Sequence, residues 1–162
     1  EVAPSPDTSE TAVNRTMQLM EQARQTPILV RKEVQGFILN RLQGALLNEA
    51  LRLFRDGYVS AEDLDKTVKH GLGLRWSFMG PFETIDLNAP NGVVDYGQRY
   101  GPLYRDVDRQ RSDDDPWDTA TLAALGQERR SQLPSEGLAE RQAWRDRRLM
   151  ALMAHQRHID TK

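Results

Sequence analysis

Apolar residues recur at helical spacing along most of the chain. They predict a helix over residues 9–25, with Asp7 and Glu10 in an N-terminal capping arrangement. Residues 27–30 form a short apolar, partly β-branched run, which predicts a buried strand. Because a lone strand cannot satisfy its backbone hydrogen bonds, we expect its sheet to lie in a part of the protein outside this sequence.

The segment from Gly36 to Gly57 is apolar around most of a helical wheel. Such a helix is typically buried, at the centre of a bundle or between two bodies. Asn40, Gln43 and Glu49 interrupt its apolar faces, and each would cost about 1–3 kcal/mol if buried without a partner. Position alone favours pairing with other helices or a partner subunit, and the other interpretation is a functional role.

The next segment predicts two short helices separated by a loop. Ser60 and Asp63 form a capping box for a helix that ends near Gly71. Residues 71–80 are punctuated by glycine, which predicts a loop. Pro81 suits the first position of the helix that follows.

The remaining residues also carry helical patterns, so the predicted fold class is mainly α. We expect a helix over 91–100 that stops at Gly101 and Pro102. Two further helices are predicted over 117–130 and 136–158. The last has a weak apolar stripe, which favours docking on the body of the protein or on a partner.

Composition and charge narrow the function classes. The 162 residues hold 22 Lys and Arg against 24 Asp and Glu, so the net charge of −2 disfavours nucleic-acid binding. The absence of Cys excludes disulfides, thiolate metal ligands and a Cys nucleophile. No apolar run has the roughly 20 residues that a membrane span needs, and we expect a cytoplasmic protein without membrane or nucleic-acid partners.

Few residues point to chemistry on spacing alone. No glycine-rich phosphate loop, serine nucleophile elbow or zincin motif is present. His155 and His158 lie three apart, but without an obvious third ligand we expect no metal site. Arg75 lies among apolar residues and needs an anionic partner, either a substrate carboxylate or a structural acid such as Glu83 or Asp86. Without further information the structural acid is favoured.

Three strings in combination identify a family resemblance. GFILNRL at 36–42, GLG at 71–73 and GPFE at 80–83 occur in the order found in the C-terminal domain of the 3-hydroxyacyl-CoA dehydrogenase family. The longer string GLGLRWSFMGPFETIDLNA at 71–89 is more similar to the branch that contains L-gulonate 3-dehydrogenase, also known as lambda-crystallin. The acyl-CoA branch typically has a shorter loop there, without the arginine.

The resemblance implies a domain organisation. In this family a Rossmann domain ends with a helix and a strand before an all-helical domain. Residues 1–34 would then be the tail of an NAD-binding Rossmann domain, 35–102 a helical substrate and dimerisation domain, and 103–162 a helical C-terminal region. The chain would be a fragment of a longer dehydrogenase, with NAD bound mainly by the missing domain and no activity in the fragment alone.

The resemblance also implies roles for three residues. Asn40 matches the family's active-site asparagine, which helps to place the substrate and the catalytic histidine. Glu1 matches the glutamate that pairs with that histidine, and Arg75 would hold the carboxylate of a small hydroxy acid. A homodimer is expected. The alternatives are a 3-hydroxyacyl-CoA dehydrogenase of fatty-acid β-oxidation and a non-catalytic helical association module.

Overall fold

The computed structural model describes residues 1–110 and 115–160 and confirms the predicted mainly α fold class. Two compact units divide the chain, Glu1–Ala50 and Leu51–Lys162. The helices are α1 (Glu10–Gln22), α2 (Phe37–Arg55), α3 (Ala61–Thr67), α4 (Gly73–Trp76), α5 (Pro81–Leu87), α6 (Gly92–Arg109), α7 (Thr119–Gln132) and α8 (Leu138–Asp160). A π-helical turn (Val68–Leu72) lies between α3 and α4, and a 3₁₀ turn (Ser135–Gly137) precedes α8.

Helix α1 forms as predicted, but a different residue caps it. Ser9, rather than Asp7, is the N-cap, and its hydroxyl accepts from the backbone N–H of Ala12 at 3.2 Å. An N-cap side chain must come directly before the first helical residue to reach the unpaired N–H groups. Asp7 lies too far upstream for that geometry.

The strand predicted over 27–30 is reduced to a single parallel bridge between Val2 and Leu29. The Val2 N–H donates to Ile28 O, and the Val30 N–H donates to Val2 O, both at 2.8 Å. Val30 is buried, whereas Ile28 and Leu29 are exposed, so the predicted burial holds for Val30 and fails for those two residues. The N-terminal residues thus supply backbone partners within this chain.

The described residues of this chain do not bury α2 as predicted. Its helix forms as expected, but Leu39 is 66% exposed and Leu42 61%, and Leu51 is the buried residue of the helix. Asn40 and Gln43 are exposed, so neither needs a buried partner. A helical wheel shows which faces are apolar, but it does not show what covers them.

The C-terminal end of α2 follows the sequence signal closely. Gly57 has a φ of +76° and donates to Phe54 O at 3.1 Å, while Tyr58 donates to Leu53 O at 3.0 Å. This pair of bonds is the Schellman motif, in which a left-handed glycine satisfies the last helical carbonyl groups.

The loop predicted over 71–80 is wrong for its first half, where the chain stays helical through the π-helical turn and α4. A Cβ atom on Gly73 would lie 3.1 Å from the backbone oxygen of Val68. The glycine therefore lets the wider turn close, instead of ending the helix. Pro81 begins α5 as predicted.

Helix α6 continues past the predicted stop at Gly101 and Pro102 and ends at Arg109. Proline cannot donate its backbone N–H, so it removes one bond of the helical ladder. The side chains of Tyr96 and Tyr104 bridge this position, because their hydroxyl groups hydrogen-bond at 2.7 Å from opposite sides of it. A side-chain contact within the helix can thus help to offset a local helix breaker.

The last two predicted helices, α7 and α8, are confirmed with boundaries shifted by about two residues. Asp118 caps α7 by accepting from the N–H groups of Ala120 and Thr121, both at 2.9 Å. Within residues 1–110 and 115–160, no helix combines the length and apolar character needed to cross a bilayer.

Candidate functional site

The first unit contains an unusual entry to α2. Gly36 has a φ of +81°, and Phe37, the first residue of the helix, has a φ of +51°. Glycine adopts this left-handed region readily, but for other residues it costs on the order of 1–3 kcal/mol and often marks functional sites. The strained backbone therefore singles out the start of α2.

A distant carboxylate binds this helix start. Oε1 of Glu1 accepts from the backbone N–H of Ile38 at 3.0 Å and from that of Leu39 at 2.9 Å. Both N–H groups lie in the first turn, where they have no partner inside the helix, and the helix dipole favours negative charge there. Among the described contacts, Oε1 makes both bonds, so Oε2 offers a second acceptor.

The structure brings Glu1 and Asn40 to the same helical turn. Asn40 directly follows Leu39, whose N–H binds the Glu1 carboxylate, and both side chains are exposed. The carboxylate is thus bound to the residue directly before Asn40, although Glu1 and Asn40 are 39 positions apart in sequence. Such a pair can orient a histidine, stabilise its protonated form and hydrogen-bond a substrate oxygen.

Arg75 lies in the second unit, in the short helix α4, and it is exposed. None of the ion pairs among the described residues involves this guanidinium, so the predicted pairing with Glu83 or Asp86 is absent there. Oδ1 of Asp86 instead accepts from the Val93 N–H at 2.7 Å and holds the start of α6.

Three tyrosines of α6 form a cluster that the sequence analysis missed. The ring of Tyr96 lies tilted against that of Tyr100, with 4.7 Å between the ring centroids, and it stacks against that of Tyr104 at 6.3 Å. The hydrogen bond with Tyr104 and partial loss of hydration raise the pKa of Tyr96, whereas the positive charge of Arg75 acts to lower it. The guanidinium is therefore close enough to influence this phenol.

The spacing of the tyrosines was a usable signal. Residues at i, i+4 and i+8 share one helix face. The predicted helix end at Gly101, however, placed Tyr96 and Tyr104 in different segments. Because the helix was predicted to end at Gly101, the sequence did not reveal this tyrosine cluster beside Arg75, a candidate anion-binding residue.

The described residues do not fit a dinucleotide cofactor. A Rossmann site needs a strand followed by a glycine-rich turn and a helix, whereas the β-pairing described here is one isolated bridge. Over the same described residues, no group of three or more His, Asp or Glu side chains is placed to hold a metal ion.

Sequence comparisons connect this chain to known dehydrogenases. Residues 36–128 match the profile of the 3-hydroxyacyl-CoA dehydrogenase, C-terminal domain. A lambda-crystallin homolog from Homo sapiens is 42% identical over 154 residues, which cover 94% of this chain and 48% of that protein. A 3-hydroxyacyl-CoA dehydrogenase from Gibberella moniliformis is 41% identical over 132 residues, 77% of this chain and 40% of that protein.

A solved structure shares the fold. It is a 5-formyl-3-hydroxy-2-methylpyridine 4-carboxylic acid 5-dehydrogenase, described as an NAD⁺-dependent dismutase, with a TM-score of 0.70 and 23% identity. The match covers 96% of this chain and 50% of that protein. This chain therefore spans about half the length of the human relative as well as of the structural one.

Proposed function

Since this chain belongs to the 3-hydroxyacyl-CoA dehydrogenase family, we propose that it is the substrate-binding and dimerisation part of an NAD-dependent oxidoreductase. The substrate is a small hydroxy acid similar to L-gulonate, oxidised at its 3-hydroxyl. NAD accepts the hydride and is bound mainly by a domain outside this sequence, since the described residues offer no dinucleotide site. Residues 1–34 are the tail of that domain, 35–102 the helical substrate domain and 103–162 a helical extension.

The observation that carries this proposal is the Glu1 carboxylate bound to the start of α2, in the same helical turn as Asn40. The backbone N–H donors fix the position of the Glu1 carboxylate, and because they are neutral they do not cancel its negative charge. A carboxylate held in this way orients the family's catalytic histidine and stabilises the cation formed when the histidine takes the hydroxyl proton. Asn40 hydrogen-bonds the substrate and helps to place the same histidine.

Arg75 supports a small carboxylate substrate. Its guanidinium is exposed and makes no ion pair with the described acids, so its planar N–H groups can bind a carboxylate bidentately. The neighbouring tyrosine cluster of α6 adds hydroxyl groups that suit a polyhydroxylated acid. An acyl-CoA thioester has no carboxylate at this position.

The exposed apolar face of α2 supports dimerisation. Leu39 and Leu42, in the first two turns of an apolar helix, are more than half exposed. Contiguous apolar surface of this kind typically marks a protein–protein interface. A second copy of the protein is the proposed partner, and sedimentation of the full-length protein measures its oligomeric state.

The experiment that tests the proposed function is NAD reduction by the full-length protein that contains this chain. L-gulonate and other small 3-hydroxy acids are compared with a 3-hydroxyacyl-CoA thioester. Higher kcat/KM with the small acids supports the proposal, whereas preference for the thioester assigns the protein to fatty-acid β-oxidation. Activity with neither class favours the non-catalytic association module, and NAD reduction by residues 1–162 alone would contradict the inactivity expected of this chain.

An Arg75→Ala variant tests the substrate class in the same assay. Loss of a bidentate charge pair should raise KM for the small acid about tenfold or more and change kcat less. Arg147→Ala removes an exposed charge from α8 and serves as the matched control. Full activity of Arg75→Ala on the small acid would refute the role of Arg75.

A further inference from the structure

A cavity in the second unit lies apart from the residues discussed above. It has a volume of about 470 Å³ and is lined by α3, the π-helical turn, the C-terminal end of α7 and the start of α8. This volume falls within the range of about 300–1,000 Å³ that is typical of small-molecule sites. The cavity contains neither Arg75 nor the α6 tyrosines.

Basic side chains dominate its lining. Four cations, Lys66, Lys69, Arg129 and Arg141, face the cavity together with two carboxylates, and His70 adds an imidazole. The cations thus exceed the carboxylates by two charges. A surplus of this size in a concave site favours binding of an anion.

Two of the four cations are already paired. Nζ of Lys66 lies 2.8 Å from a carboxylate oxygen of Glu62, and Nη1 of Arg129 lies 3.4 Å from one of Asp65. These pairs neutralise both carboxylates of the cavity. The surplus therefore resides on the remaining two cations.

Neither Lys69 nor Arg141 takes part in an ion pair among the described residues. Arg141 is held in place because its guanidinium lies 3.6 Å from the centroid of the Trp144 ring. This stacking leaves the edge of the guanidinium, with its N–H donors, available to an oxyanion.

The backbone gives an independent reason to assign function here. Lys69 and His70 lie in the π-helical turn Val68–Leu72. Such turns are rare and frequently occur at functional sites, because they widen the helix at some cost in stability. The wider turn carries these two side chains at the cavity that also holds the surplus charge.

We propose that this cavity binds a small phosphomonoester through Lys69 and Arg141. A phosphomonoester carries a charge of about −1.5 to −2 near neutral pH, which matches the surplus of two positive charges. The arginine fork donates to two phosphate oxygens, and the lysine supplies a point charge. A nucleic acid is disfavoured because the chain as a whole has a net charge of −2.

The test is calorimetric titration of the full-length protein with glycerol 3-phosphate at low ionic strength, with glycerol as the neutral probe. Saturable binding of the phosphate alone is expected. The double variant Lys69→Gln/Arg141→Gln should weaken it roughly tenfold or more, since it removes both unpaired cations. Lys32→Gln/Arg147→Gln removes the same charge outside the cavity and should leave the affinity within about twofold.

Hydrogen exchange measured by mass spectrometry provides a test without mutation. Glycerol 3-phosphate should slow exchange in residues 66–72 and 129–141 and leave residues 73–79, around Arg75, unchanged. Absence of saturable binding, equal affinity in both double variants, or protection confined to 73–79 would each overturn the proposal. No hydroxy acid enters these measurements, so their outcome is separate from that of the dehydrogenase assay.

Discussion

Two helix starts in this chain are bound by glutamates from distant positions, and they differ in an instructive way. Glu1 accepts from Ile38 at 3.0 Å and from Leu39 at 2.9 Å at the start of α2. Glu128 accepts from Ala61 at 2.7 Å at the start of α3. In both cases a carboxylate satisfies N–H groups that have no partner inside the helix.

Glu1 and Glu128 differ in their surroundings. Helix α3 already has a local N-cap, because the Ser60 hydroxyl accepts from the backbone N–H of Asp63 at 3.1 Å, and its first residue, Ala61, is buried. Glu128 therefore adds to an existing cap in a packed region. Glu1 is exposed, and it binds the residue directly before the exposed Asn40, at a helix start with a strained backbone. A helix cap in a packed region is structural, whereas an exposed charge at a strained turn is suited to chemistry.

The largest effect that we expect from this contrast is on turnover, in an Asn40→Ala variant of the full-length protein. The amide would no longer place the substrate and the histidine, so kcat should fall about 100-fold. Gln43→Ala, an exposed amide one turn later in α2, is the control and should retain normal turnover. Unchanged turnover with altered dimerisation would favour the association module.

A direct comparison of the two glutamates comes next. Glu1→Gln and Glu128→Gln each keep an oxygen that accepts from the helix N–H groups, so both variants should fold. Loss of the charge at Glu1 should lower kcat by about tenfold or more, because the histidine cation loses its counter-charge. Steady-state kinetics of the Glu128→Gln variant should match the wild type. Equal kinetics of the two variants would contradict the functional assignment of Glu1.

A smaller effect is expected on stability at the start of α3. Ser60→Ala removes the local cap and should lower the free energy of unfolding by about 1 kcal/mol, a loss that urea denaturation can measure. Glu128 still binds the Ala61 N–H, so the helix start should persist. A loss near zero would indicate that the distant carboxylate alone is sufficient.

The smallest effect concerns α7, whose cap is entirely local. Hydrogen bonds from the Thr121 hydroxyl, at 2.5 Å, and from its N–H lower the pKa of Asp118 below the usual value of 3.8. A carboxyl group whose pKa is lower in the folded protein than in the unfolded chain stabilises the fold. This stabilisation is complete at pH values above the unfolded-state pKa, and it is lost as the pH falls through the folded-state pKa.

An Asp118→Asn variant should therefore be less stable than the wild type at neutral pH, and the difference should shrink as the pH falls below 3.8. The urea midpoints of both proteins, compared from neutral pH to below 3.8, measure this difference in stability. Asp146→Asn makes the same change in charge outside a helix cap and is the control. A difference between Asp118→Asn and the wild type that is independent of pH would contradict the role of the charge.

Local signals predicted much of the fold. Helical periodicity predicted α1, α2, α7 and α8, and Gly57 and Ser60 marked a helix end and a helix start. The prediction failed at the π-helical turn, where the chain stays helical through its glycines, and at Pro102, which lies between the hydrogen-bonded Tyr96 and Tyr104. Helix propensity describes each residue separately, whereas a helix can continue through contacts between residues that are several positions apart.

For the candidate site, the sequence pointed to the residues but not to the contact between them. Asn40, Glu1 and Arg75 were named from short strings, and their catalytic and binding roles stay predictions. Their sequence positions do not reveal that Glu1 binds the first turn of α2, since 37 residues separate it from Ile38.

Residue order and periodicity thus determine where most of the helices form and which family the chain belongs to, because both depend on local pattern. Tertiary folding determines which distant groups meet. It places the Glu1 carboxylate at a helix start, arranges Lys69 and Arg141 around one cavity and leaves the apolar face of α2 exposed. These outcomes depend on long-range contacts and on the surface that remains uncovered, and neither is encoded in the pattern of a single helix.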